Sequence, residues 1–265
     1  MYAFNYHRPS SLDDAAKLLS SASDGKFLAG GQTLLPTLKQ RLASPSDVID
    51  LTGIPQLSGI TVSGSAVTIG ATTRHAAVAA SAEVKKAIPA LAKLASGIGD
   101  PQVRNMGTLG GSIANNDPAA DYPAAVLGLC ATVHTNKRTI AADDFFTGMF
   151  ETALEEGEIV TKVEFPIPKR AGYVKFPNPA SRYVMVGAFV AETADGIRVA
   201  INGAGPCVFR HTEMEAALAK NFSPDALKGI RTDPAGMNND IHASAEYRAH
   251  LVGVMARRAV EAALG

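Results

Sequence analysis

The chain has 265 residues, enough for about two domains, and 46% of them are hydrophobic, while charged residues make up only 19%. Lys plus Arg and Asp plus Glu stand at 25 each, so no basic field draws nucleic acid. Two isolated cysteines, Cys130 and Cys207, and six scattered histidines leave neither a disulfide framework nor the ligands of a zinc or iron–sulfur site.

Residues Met1–Pro9 lack the charged start and apolar run of a secretory signal. Apolar stretches such as Pro123–Val133 fall well short of the ~20 residues of a membrane span. A cytoplasmic protein is expected. Ser11 and Asp14 open a helix with Leu12, Ala15, Leu18 and Leu19 on its apolar side. Phe27-Leu28-Ala29 reads as a strand ending at Gly30-Gly31, and a helix starting near Thr33 carries Leu35, Leu38 and Leu42. Val48–Leu51 is a further strand, and a boundary near Thr52–Gln56 closes a first α/β unit at residues 1–54.

Ile60–Val62 and Val67–Ile69 flank a hairpin turn. Thr72 and Thr73 are positioned to cap a short helix over His75–Ala80, and a longer helix is expected from Glu83 to about Ala95. Gly97–Asp121 is dense in glycine and lacks periodicity, so it reads as loop. Pro123–Leu129 follows as a short helix, then a hairpin over Ala131–Ala141. Ile159–Ile167 alternates, with Ile159, Val163 and Phe165 on one side. Pro166, Pro168 and Gly172 end a middle α+β unit, residues 55–169. The remainder, 170–265, holds strands over Tyr183–Glu192 and Ile197–Ile201 joined at Asp195-Gly196, and helices around His211–Ala219 and Ser244–Leu264.

The glycines carry the chemistry. Ala29-Gly30-Gly31-Gln32-Thr33-Leu34 places two between a strand and a helix start, and Gly107-Thr108-Leu109-Gly110-Gly111-Ser112 places three more. Without Cβ atoms, backbone N–H groups can close on an anion, and successive ones form a nest that needs no Lys or Arg. Neither a P-loop nor a G-x-G-x-x-G fingerprint is present, so a dinucleotide would not be bound in Rossmann fashion. Either pair alone is equally an ordinary turn.

With their surroundings, Ala29–Pro36 and Asp100–Gly111 resemble the two FAD motifs in the medium subunit of molybdenum hydroxylases, the family of carbon monoxide dehydrogenase flavoproteins and xanthine dehydrogenase flavin domains. The resemblance runs from Tyr6 to Ala259. It implies an α+β fold, a two-part flavin domain of the vanillyl-alcohol-oxidase-like (PCMH) type with FAD between its parts, and a C-terminal α+β domain. It implies noncovalent FAD, with Ala29 to Leu34 and Thr108, Gly110, Gly111 and Ser112 around the pyrophosphate. It also places Thr72 near the flavin, Asp121 on the sugar-alcohol region, Ile159 in an apolar wall, Lys175 at the isoalloxazine carbonyl edge and Tyr183 against the ring. Asp121 could equally cap the helix after it, and Ile159, Lys175 and Tyr183 could be ordinary core or strand residues.

The implied role is electron transfer, with no general acid or base on this chain. The implied partners are a large molybdenum-cofactor subunit and a small subunit with [2Fe–2S] clusters, in a heterotrimer or its dimer. Relatives often have Asn where Ser112 stands, and a less proline-rich turn than Phe176–Pro179. A self-contained flavin oxidase or reductase and a non-catalytic assembly subunit are the alternatives.

Overall fold

A computed structural model describes residues Met1–Gly265. The first fifty residues form a parallel three-stranded sheet in the order Asn5–His7, Asp47–Asp50, Gly25–Leu28. Helix Leu12–Ser21 connects the first two strands in sequence, and the Ser11 hydroxyl accepts from the Asp14 N–H at 3.1 Å while donating to the Asp14 carboxylate at 2.7 Å. That reciprocal cap fixes where the helix begins. The following helix is shorter than its apolar pattern suggests. It spans Leu34–Lys39, Arg41 turns to φ 60°, and Leu42 is left 74% exposed.

The middle sheet is antiparallel, in the order Ile60–Ser63, Ala66–Gly70, Val160–Pro166, Thr132–Thr135, Thr139–Ala141. A bulge between Val160 and Lys162 shifts the pairing with Thr132–Thr135. An extra residue reverses the face of everything before it. Val160 therefore joins Val163 and Phe165 in the main core, while Ile159 is buried in the separate N-terminal core with Ile49, Leu51 and Leu57. The expectation that Ile159 shares a face with Val163 and Phe165 is thus corrected, and Ile159 becomes the link between the first two sheets.

Two other expectations change here. Pro89 has no N–H, and Ile88 before it sits at φ −139°, ψ 75°, so the helix expected from Glu83 to Ala95 is two, Ala82–Ala87 and Pro89–Ser96. Gly97–Asp121 is not a loop but holds helices Pro101–Met106 and Leu109–Asn115, with Asp100 and Thr108 accepting from the Val103 and Gly111 N–H groups at 2.8 and 3.2 Å.

The third sheet orders Arg170–Pro177, Val184–Thr193, Gly196–Asn202 and Phe209–Arg210. Its central strand is a continuous buried run, the pattern of a sheet covered on both faces. Phe189 and Ala191 pack into the main core beside Tyr122 and Leu91, whereas Val186, Ala188 and Val190 meet helix Ala245–Leu264 through Val252, Met255 and Ala259. Each of the larger ones, the buried Val, Leu, Phe and Met side chains, contributes about 1.5–3 kcal/mol. The strand over Arg170–Pro177 escapes sequence reading because Gly172 interrupts it. A Cβ there would strike the backbone of Ala259 and Ala263, so glycine is what lets the long helix lie against the sheet. No helix is long and apolar enough to cross a membrane.

Candidate functional site

A cleft of about 620 Å³ opens between the first two sheets and is roofed by the chain just before Val184. Its size falls in the range of about 300–1,000 Å³ that suits a large organic ligand. Of the residues singled out in the sequence, Ala29, Gly30, Gly31, Gln32, Thr33, Leu34, Thr72, Thr108, Gly110, Gly111, Ser112, Asp121, Ile159 and Tyr183 all line it. Lys175 does not.

The first glycine motif leaves strand Gly25–Leu28 and turns through Gly31 at φ 70° into helix Leu34–Lys39. The backbone N–H groups of residues 29–34 donate to no acceptor in the protein. Six successive donors lining one cleft form a surface of partial positive charge that only a ligand or water satisfies. Gly30 is also where the two motifs touch, since a Cβ there would overlap the Met106 carbonyl and the Gly107 Cα.

The second motif is built differently. Gly110 and Gly111 lie in the first turn of helix Leu109–Asn115. The Leu109 N–H donates to Thr73 O at 3.1 Å and the Gly110 N–H to Ala71 O at 2.8 Å. The Gly111 N–H turns to the Thr108 hydroxyl, so only the Thr108 N–H stays free. A Cβ on Gly110 would collide with Ala71, and Gly111 faces Ala29 across the cleft floor, its Cβ position 3.8 Å from that of Ala29. Here glycine serves mainly close packing.

Neither Thr72 nor Thr73 caps helix His75–Ala80, whose N-cap is Arg74. The Thr73 hydroxyl instead donates to Gly59 O at 3.1 Å. The Thr72 hydroxyl makes no bond within the protein and lines the cleft. Asp121 does stand at the N-cap of helix Tyr122–Gly128, but its side chain makes no capping bond there. Its carboxylate accepts from the Tyr173 hydroxyl at 2.8 Å and from Lys175 Nζ at 3.0 Å. Burial pushes the Asp121 carboxyl up, and the Lys175 ammonium opposes that shift. Lys175 also donates to the carbonyls of Gly97 and Arg182, both at 2.9 Å. It thus stands behind the cleft wall.

Arg104 donates to the carbonyls of Ile98 and Gly99 at 2.9 and 3.0 Å and so supports the loop beside the second motif. Tyr183 is half exposed at the cleft mouth and Ile159 is buried at its floor. Sequence reading missed Arg182, which lines the cleft at φ 64° and donates to Gly99 O at 3.2 Å. It also missed Lys26, Glu158 and the Ile98-Gly99 turn. The Gly97-Ile98-Gly99 spacing was a usable signal for the last; nothing local marks the others. His75 lines the cleft too, its Nδ1 without a partner, and burial pulls its pKa down to about 4.

Residues 2–168 match the family described as the FAD binding domain in molybdopterin dehydrogenase. The chain is 38% identical to the nicotine 6-hydroxylase medium subunit of Paenarthrobacter nicotinovorans, covering 97% of this chain and 96% of that one. It is 35% identical to the carbon monoxide dehydrogenase medium chain of Hydrogenophaga pseudoflava, over 98% and 96% of the two chains. A solved Cu,Mo-containing carbon monoxide dehydrogenase superposes with a TM-score of 0.90 at 33% identity, over 99% of this chain and 98% of the other. A glycine-lined cleft with unpaired amides is thus accompanied by matches along nearly the whole length, and the chain belongs to the family of FAD-binding medium subunits of molybdenum hydroxylases.

Proposed function

We propose that this chain holds FAD noncovalently in the cleft and passes electrons from the [2Fe–2S] clusters of a small partner subunit to an acceptor. A large molybdenum-cofactor subunit completes the assembly, a heterotrimer or its dimer working in the cytoplasm. The observation that carries the site is the run of free amides over residues 29–34. A diphosphate fits such a surface, because its oxygens accept what the backbone leaves unpaired and no side-chain cation is required.

The free Thr108 N–H and the Ser112 hydroxyl would complete the pyrophosphate contacts, and Asp121 would accept hydroxyls of the sugar-alcohol chain. Ile159 and Tyr183 would flank the ring and exclude water from it. When bound, FAD supplies reversible one- and two-electron transfer, while the protein supplies position and electrostatics. Residues 1–54 and 55–169 would act as the two halves of the flavin domain. The C-terminal unit, 170–265, would contribute the roof through Ser181, Arg182 and Tyr183.

The visible spectrum of the purified chain before and after FAD addition and desalting tests this reading. Retained flavin that acid releases, and that the reduced small subunit reduces, is the expected outcome. A chain that retains no flavin even with that subunit present would contradict it.

A further inference from the structure

We infer that Arg248, in the last helix and outside the cleft, is a positioning residue for the cofactor site, acting through two strand ends that hold the cleft wall. The inference rests on the FAD site proposed above. Its ground is the grip of the C-terminal unit on the stretch after the second glycine motif. Three successive carbonyls, those of Pro118, Ala119 and Ala120, each accept one donor from the third sheet. The donors are the Gly203 N–H at 2.9 Å, the Val184 N–H at 3.1 Å and Asn202 Nδ2 at 2.6 Å. Ala119 and Ala120 line the cleft, as do Asp117 and Asp121 to either side of the gripped residues.

All three donors sit where the sheet comes apart. Val184 opens strand Val184–Thr193, Asn202 closes strand Gly196–Asn202, and Gly203 follows at φ 79°. The ladder between these strands ends at the pair Gly187–Asn202, so it ties neither Val184–Val186 nor Gly203 across the gap. Arg248 does. Its Nη1 donates to Met185 O at 2.6 Å and to Gly203 O at 2.9 Å, one carbonyl from each strand end. Its Nη2 donates to the Asp240 carboxylate at 2.8 Å, and Asp240 in turn accepts from the His242 and Ala243 N–H groups. Asn238 Nδ2 adds bonds to Gly203 O and Gly205 O at 3.3 and 2.7 Å. A planar guanidinium holds its acceptors at a fixed spacing.

Arg248 is 4% exposed, and burying a guanidinium is expensive in desolvation. Leu251, Val252 and Met255 already hold the same helix against the sheet without that penalty. What no apolar side chain does is join Met185 O to Gly203 O. The path from there to the cleft is short. Gly203 alone separates the guanidinium from Pro118, and Val184 with Met185 separates it from Ala119. Tyr183, the next residue before that strand start, lines the cleft mouth. Without Arg248 the wall at 118–120 and the roof at Tyr183 loosen together, and the free donors at residues 29–34 face a wall at no fixed distance.

The test is made on the full chain with two readouts, FAD affinity by flavin fluorescence and amide hydrogen exchange without FAD. Arg248→Met removes the bridge, and Met255→Ala weakens the same helix without touching it. Arg248→Met should weaken FAD binding by about tenfold, and Met255→Ala should stay within about twofold of wild type. In the flavin-free chain, Arg248→Met should speed exchange at Val184 and Gly203 more than at Val190 in the middle of the strand, whereas Met255→Ala should not single them out. An Arg248→Met chain that folds and binds FAD within about twofold of wild type, or a Met255→Ala chain that loses as much affinity, would overturn the inference. So would exchange at Val184 and Gly203 that rises no more than at Val190. Should Arg248→Met fail to fold, Arg248→Lys takes its place. It lacks the planar fork, so both readouts should move the same way by less, and wild-type values in both would overturn the inference. A wild-type chain that takes up no FAD would sink the site itself, and the exchange measured without flavin keeps that failure distinct from this one.

Discussion

The two glycine motifs have nearly the same sequence signature and different physical jobs. At Ala29–Leu34 the backbone is bare, with six N–H groups unpaired and Gly31 in a left-handed conformation that turns them toward the cleft. At Thr108–Ser112 the amides of Leu109 and Gly110 are tied to Thr73 and Ala71, and the absent Cβ atoms allow a helix to press on its neighbours. One motif presents free donors to the cleft; the other packs tightly into the wall beside it. A glycine pair says that a Cβ is not tolerated, and only the hydrogen-bond inventory says why.

The largest effect should follow from breaking the packing motif. Gly110→Ala drives a Cβ against Ala71 backbone atoms that cannot step aside. It should cost about 3 kcal/mol or more of stability, read as a lower midpoint of chemical denaturation without FAD. Were the flavin-free variant as stable as wild type, the packing role would be refuted.

That difference was only partly legible beforehand. The capped first helix, the strand–glycine–helix order and the hairpins were readable, because caps, turns and periodicity are local. Helix Leu109–Asn115 was not, since Gly110 and Gly111 erase the apolar period and the helix is stabilised by contacts from Ala71 and Thr73 far away in sequence. Yet Asp100-Pro101 was a local cap-and-proline start signal for the helix before it. The strand Arg170–Pro177 hid behind Gly172, which exists for a helix more than eighty residues later. For the site, the glycine motifs and the resemblance supplied the two glycine walls, Thr72, Asp121, Ile159 and Tyr183, but not Lys26, His75, Ile98, Gly99, Glu158 or Arg182. They could not show that the Lys175 ammonium is tied to Gly97, Arg182 and Asp121 at the back of the cleft wall, because those partners lie far away in sequence or depend on a turn.

A second effect comes from His75, whose backbone N–H donates to Gly107 O at 3.0 Å and so supports the packing motif from below. Burial holds the folded pKa down to about 4 from the usual 6.5. The imidazole is neutral when folded, and the unfolded chain binds the extra proton. Stability is therefore complete above about pH 6.5 and falls as pH drops toward about 4, by on the order of 3 kcal/mol. Denaturation midpoints across that window should flatten in His75→Gln. An unchanged slope would place the acid sensitivity elsewhere.

The smallest effect on the fold, with the sharpest effect on binding, is expected at Gly31. Alanine at φ 70° costs about 1–2 kcal/mol, and its Cβ meets side-chain atoms of Leu35 and Leu28 rather than backbone. Gly31→Ala should fold and lose FAD affinity by about tenfold or more as its amide turns away from the cleft. If Gly31→Ala kept full affinity while Gly110→Ala abolished it, the two roles would have to be exchanged.

Amide hydrogen exchange with and without FAD addresses the contrast most directly. Residues 29–34 should exchange freely in the flavin-free chain and slow when FAD binds, whereas Leu109 and Gly110 should be slow in both. If FAD binds and residues 29–34 exchange as fast as before, their unpaired amides are not what holds the pyrophosphate.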